Sequence, residues 1–222
     1  VPIAIDRAQR SADVARVAAQ LIAQGGLEAV TFRNLAAALG CSTTAISHYF
    51  PTRNDVLVAT YTYIADRAQA RRAQVQADGK HGVAEVLQQI LPIGEDQSDD
   101  WKVWLCFWTS ALFDPALAQI QQARNEVTRG EIRQLLVASG WSAAASRDLS
   151  RQMMTTIYGI AIQAIFDPAQ WTPAQQRKAL QHVLALASIG DAGPRRAPLP
   201  AGKRLRAGRA GRPAPGSPGK PA

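Results

Sequence analysis

Between residues 11 and 188 the apolar side chains of this sequence recur three and four positions apart, and alternating β-branched runs are scarce. That spacing lays an apolar stripe along one side of a helix, whereas a half-buried strand needs a period of two. The interruptions are helix stops: Gly25-Gly26, Gly40, Asp78-Gly79-Lys80, Pro92-Ile93-Gly94, Asp114-Pro115, Ser139-Gly140 and Asp167-Pro168. The pattern predicts an all-α fold with helices over 11–24, 31–39, 42–49, 53–77, 83–91, 99–113, 114–138, 143–166 and 173–188. A chain of 222 residues is long enough to bury a sizeable core with them.

The second and third of these helices are short and are joined at Gly40, in the stretch LAAALGCSTTAISHYF. Phe32, Leu35, Ala36, Leu39, Ile46 and Phe50 supply an inward apolar face, and the small Ala45 lets the two helices cross closely. The opposite face carries Ser42, Thr43, Thr44, Ser47, His48 and Tyr49. This is a helix-turn-helix pattern, in which the second helix enters the major groove of DNA. Hydroxyls suit such a helix because they donate or accept at short range and cost little to desolvate, while His48 and Tyr49 can donate to phosphates. The other reading of the same residues is an ordinary helical hairpin with solvated hydroxyls. Thr31, Ser42 and Thr52 each stand at a helix start as N-caps, and Asp55 completes an acidic capping box with Thr52.

The net charge of +8 says little about DNA, because the last 32 residues hold +7 of it. Those residues, 191–222, are rich in Gly, Pro, Ala and Arg and poor in large apolar side chains, so a disordered, solvated tail is expected. The remainder is nearly neutral, and any DNA contact must come from particular residues. Cys41 and Cys106 suggest no disulfide framework, and no run of 18 apolar residues or basic-then-apolar leader is present. A cytoplasmic protein without membrane contact is expected. His48, His81 and His182 fall in separate elements, and no phosphate loop, dinucleotide fingerprint or nucleophile elbow occurs. No enzyme activity, cofactor or metal is expected.

The order helix, then GGLEAVTFRNLAAALGCSTTAISHYFPTRNDVLVATY, then a long helix and a larger helical body resembles the TetR family of bacterial repressors. The resemblance covers about residues 11–63. It implies a three-helix DNA-binding domain over 1–52, a helical regulatory and dimerisation domain over 53–190, and the basic tail over 191–222. It also implies roles: Arg33 facing DNA, Thr43, Thr44 and Ser47 meeting bases or phosphates, His48 reading a base or phosphate, Tyr49 and Arg53 gripping phosphates. Ser42 is expected to act as a cap, with backbone amides aimed at a phosphate. Pro51 stands where the family often has Gly or a basic residue, so one phosphate contact is expected to be missing.

The segment WKVWLCFWTSALFDPALAQIQQARNEVTRGEIRQLL resembles the regulatory domain of the choline-responsive betaine-synthesis repressors, a TetR subgroup. Trp101, Trp104, Phe107 and Trp108 share roughly one helical face. They form either an aromatic pocket able to hold a quaternary ammonium by cation–π attraction, or part of the packed core. Cys106 reads as a small apolar residue. Leu149, Met153, Ile157 and Ile160 line one stripe and Leu180, Val183 and Leu184 another. Two such helices per subunit build a four-helix dimer interface, as the family does, or else bury the stripes within one chain. The function expected is a ligand-responsive repressor that binds a palindromic operator in duplex DNA as a homodimer and is released by a small molecule. The alternative is a helical ligand-binding or scaffold protein without specific DNA recognition.

Overall fold

The computed structural model describes residues 2–190, with side chains from 8 to 187. The expected disordered tail lies outside the described residues. Among the described residues there are nine α-helices, two short 3-10 turns and no strand. The helices are α1 (Pro2–Gly25), α2 (Phe32–Leu39), α3 (Thr43–Tyr49), α4 (Arg53–Ala77), α5 (Val83–Leu87), α6 (Glu95–Ala111), α7 (Pro115–Ala138), α8 (Ala143–Phe166) and α9 (Pro173–Gly190). The 3-10 turns are Leu27–Ala29 and Gln88–Ile90. α1 starts well ahead of the expected residue 11, since nothing between 3 and 10 breaks a helix and a proline is at home in the first turn.

Two apolar clusters organise the chain. The first joins α1, α2, α3 and the start of α4 through Ala18, Ile22, Leu35, Ile46, Phe50 and Leu57, and it also takes in Val103 and Phe107 of α6. The second joins α5, α7, α8 and α9 through Leu87, Leu136, Met153, Ile157 and Leu180, and takes in Trp101 of α6. α6 is therefore a shared wall. Trp104 and Trp108 pack against both clusters. Because α6 contributes side chains to both clusters, a shift of α6 is felt on both sides.

The start of α6 corrects one expectation. The sequence pattern begins this helix at residue 99. The helix begins at Glu95 after Gly94, and Glu95 and Asp96 occupy the first turn. Asp100 lies a turn further in, 1% exposed, and accepts from both Arg67 and Arg71 of α4. The Arg71 contact is 2.6 Å. Burial pushes the Asp100 carboxyl up from its usual range while the two guanidiniums pull it back. This three-residue tie fixes α4 against α6. Asp100→Ala is expected to cost about 2–4 kcal/mol, somewhat below the range for fully buried pairs because both arginines reach solvent. Thermal unfolding measures it as a midpoint lowered by roughly 5–15 °C.

Candidate nucleic-acid interface and interior cavity

Local chemistry sets the helix-turn-helix. The Thr31 hydroxyl accepts from the Asn34 N–H at 3.1 Å and starts α2. Gly40 ends it at φ 64°, in the left-handed region where a Cβ is strained. The Ser42 hydroxyl accepts from the Ala45 N–H at 3.1 Å and starts α3. Thr52 and Asp55 form a reciprocal capping box at the start of α4, with the Thr52 N–H donating to Asp55 at 2.8 Å. Three caps in 22 residues fix the angles at which the short helices leave their turns.

Leu35, Ala36, Ile46 and Phe50 turn inward, and Thr43, Thr44, Ser47 and His48 are exposed along one side of α3. The Ser47 hydroxyl donates to the Thr44 carbonyl at 3.2 Å. Tyr49 is half-buried, and its ring meets His48 edge-on at 5.4 Å. Arg33 is exposed on α2. Arg53 is already engaged: it donates to the Leu27 carbonyl and to Glu28 at 3.2 Å, so a phosphate has to compete with Glu28 for it. Nothing in the spacing of Glu28 and Arg53, 25 residues apart, signals that pair.

The body contains a cavity bounded by α4, α6, α7 and α8, with Tyr61, Arg72, Trp104, Trp108, Gln121, Arg124 and Tyr158 among its lining. It encloses about 430 Å³ not filled by protein atoms, some of it open to solvent. The room at its centre, about 30 Å³, is that of one or two waters. The Tyr61 O–H donates to Gln121 Oε1 at 2.6 Å, and the Trp108 Nε1–H donates to the same oxygen at 2.8 Å. Gln121 Nε2 donates to Asn125 Oδ1 at 2.8 Å, and the Tyr158 O–H reaches that oxygen at 3.3 Å. Burial drives both phenols upward, Tyr158 to about 12, so each stays a neutral donor.

This geometry breaks up the aromatic quartet. Trp101 is wholly buried, its Nε1–H donating to the Ile90 carbonyl at 2.6 Å. Phe107 is wholly buried too, but in the first cluster, its ring stacked on Tyr61 with centroids 3.9 Å apart. Trp104 and Trp108 line the cavity. One turn of helix separates Trp104 from Trp108 and brings them together, while the intervening Phe107 points away. The other walls, Tyr61, Arg72, Gln121, Arg124 and Tyr158, come from helices distant in the chain, and no sequence pattern marks them.

The stripes expected at a dimer interface pack within the single chain, the other of the two arrangements open to them. Leu149, Met153, Ile157, Ile160 and Leu180 are buried in the core of the single chain, and Val183 and Leu184 pack half-buried against it. One chain already covers these residues because α8 and α9 flank α5, α6 and α7. Cys106 is half-buried, with its thiol pushed up by burial. Among the described residues no group of His, Cys, Asp and Glu is placed to hold a metal, and no helix is long and apolar enough to cross a membrane.

Residues 15–60 match the family model of bacterial regulatory proteins of the tetR family, and residues 80–187 match that of the BetI-type transcriptional repressor C-terminal region. The transcriptional regulator BetI of Escherichia coli O45:K1 is 31% identical over 172 residues, 75% of this chain and 83% of the relative. The chain belongs to the TetR family. Its C-terminal region is of the BetI type. BetI of Serratia proteamaculans is 35% identical over 105 residues, 45% of this chain and about half (53%) of the relative. A solved protein from Saccharomonospora viridis, in complex with choline, has the same fold, with TM-score 0.67 and 21% identity, covering 80% of this chain and 96% of that one. This TetR-family protein is a DNA-binding transcriptional repressor of the ligand-responsive kind, and its named relatives are regulators rather than enzymes.

Proposed function

We propose that the repressor grips a palindromic operator as a homodimer and lets go when a small molecule enters the cavity between α4, α6, α7 and α8. The exposed row Thr43, Thr44, Ser47 and His48 enters the major groove, with Arg33 beside it, Tyr49 on the flanking phosphates and Arg53 exchanging Glu28 for a phosphate. Dimerisation uses the outer faces of α8 and α9, where Phe166 is 77% and Leu186 55% exposed, since the inner stripes are already covered. Two recognition helices must then meet successive major grooves about 34–36 Å apart. The protein acts in the cytoplasm as a switch and carries out no chemistry.

The observation that carries the switching step is Tyr61. Its hydroxyl belongs to the cavity network, and its ring is stacked on Phe107 in the cluster that holds the DNA-binding helices. A ligand that displaces Tyr61 or Trp108 moves α4 against α6 and changes the spacing of the two heads. The ligand must bind the released state better than the operator-bound one, because equal affinity shifts nothing. That a protein of this fold was solved in complex with choline supports a small-molecule effector.

Selection of bound duplexes from a random library at about 0.15 M salt tests the reading. A palindrome with half-sites one helical turn apart is the expected result. Tyr49→Ala should then weaken binding to it by about tenfold, the scale of one good contact, with the dimer intact by sedimentation. Recovery of no motif, with binding that vanishes as salt rises, would move the scaffold reading ahead.

A further inference from the structure

A groove on the outside of the body, between the later half of α7 and the first half of α8, is lined by four arginines. Arg129 and Arg133 come from α7, Arg147 and Arg151 from α8. Among the described residues Glu126 is the one carboxylate in that lining. The groove encloses about 670 Å³ not filled by protein atoms, part of it open to solvent, with about 310 Å³ at its centre. The chain ahead of residue 191 is nearly neutral as a whole, so this excess of positive charge is local.

For the chain alone the arrangement is unfavourable. Arg129 and Arg133 stand four positions apart on one helix, as do Arg147 and Arg151, so each pair repels across a single turn. Glu126 pairs with Arg129 and Asp148 with Arg151, but the two carboxylate side chains are 73% and 69% exposed, where water screens them. Among the described residues neither Arg133 nor Arg147 has an ion-pair partner, and both are exposed. Gly130 lies between the two arginines of α7 in the groove wall, and a Cβ there would meet no atom within 4 Å. A glycine inside a helix weakens it relative to alanine, and no neighbour in the chain calls for one here. Ser150, 3% exposed, lines the bottom, its hydroxyl donating to the Arg147 carbonyl at 2.9 Å. Self-repelling charge and unfilled room thus occur together, and a bound anion offsets the first while occupying the second.

We propose that this groove is a second ligand site, for a small anion with two or more charges on phosphate-type oxygens, held between the arginines of α7 and those of α8. A guanidinium fork pairs with two phosphate oxygens at once, and four forks suit a diphosphate better than a single carboxylate. A duplex on α3 lies towards the other end of α7. Asp114, at the start of α7, accepts from Asn54 beside the DNA-binding helices at 3.1 Å. Arg129 and Arg133 lie 15 and 19 residues further on, roughly 22–28 Å at the helical rise. The groove shares two walls with the interior cavity: Asn125, one turn before Arg129, meets the Tyr158 O–H of α8 at 3.3 Å. An anion that ties α7 to α8 braces the cavity from outside, whatever the cavity holds.

Titration calorimetry on the full chain at about 0.15 M salt compares inorganic pyrophosphate with acetate at matched ionic strength. The basic segment 191–222 attracts any anion, but it is the same in parent and variants, so differences between them report the groove. Pyrophosphate is expected to bind at least about tenfold more tightly than acetate. Arg133→Gln combined with Arg147→Gln should cost at least about tenfold in pyrophosphate affinity. Gly130→Leu keeps every charge and fills the groove, and should cost several-fold. Both variants should unfold no earlier than the parent, since the first relieves like-charge repulsion and the second replaces a helical glycine. A double variant with parental affinity overturns the proposal, and so does a Gly130→Leu chain with parental affinity, which would mark the attraction as diffuse. Pyrophosphate that fails to bind, or binds no tighter than acetate, overturns it as well. A non-operator duplex that loses affinity in the double variant while pyrophosphate does not would make the patch a DNA contact instead.

Discussion

Ser47→Glu should abolish operator binding while leaving the fold untouched. Ser47 is exposed on α3, and its hydroxyl donates to the Thr44 carbonyl on its own helix. Such surface changes usually alter stability by no more than about 0.5 kcal/mol. In a major groove the same carboxylate faces phosphates and base acceptors, and like charges brought together in an interface cost several kcal/mol. The operator affinity should fall at least about a hundredfold, measured by anisotropy on the selected duplex, with the unfolding midpoint within a few degrees of the parent. Retained affinity would mean that α3 lies outside the groove.

The second large effect concerns Phe107. Phe107→Ala is expected to destabilise the chain by about 3–5 kcal/mol, the range for deleting a fully buried aromatic ring. The cavity opens between Tyr61 and the cluster of α1, α2 and α3, so the neighbours able to collapse into it are the helices that carry the DNA contacts. Urea unfolding should show the loss, and operator affinity near physiological temperature should fall with it. Phe107→Leu keeps much of the volume and should cost noticeably less. Membership of an aromatic ligand cage predicts the opposite pattern, with ligand affinity lost and stability nearly unchanged.

Helical spacing, caps and breaks carried most of the architecture, because they act within a few residues. Gly40 at positive φ, Ser42 accepting from Ala45 and Thr52 exchanging bonds with Asp55 are all local events. The exposed polar side of α3 was legible for the same reason: a seven-residue helix with Ile46 turned inward leaves Thr43, Thr44, Ser47 and His48 outside. The start of α6 was misread because two acidic pairs compete for the helix start, and only the arginines of α4 show that Asp100 belongs to an ion pair.

The sequence by itself determined that the chain is helical, where its helices turn and which side of α3 is polar, since periodicity and capping are properties of neighbours in the chain. Tertiary structure alone decided what each apolar stripe packs against. It sent Phe107 to the helix-turn-helix and Trp101 to the body core, and it covered the α8 and α9 stripes within one chain. It also gathered Tyr61, Gln121, Arg124 and Tyr158 around one cavity from positions nearly a hundred residues apart. A helix fixes which side chains share a face, but the partner of that face is chosen by packing among all the helices at once.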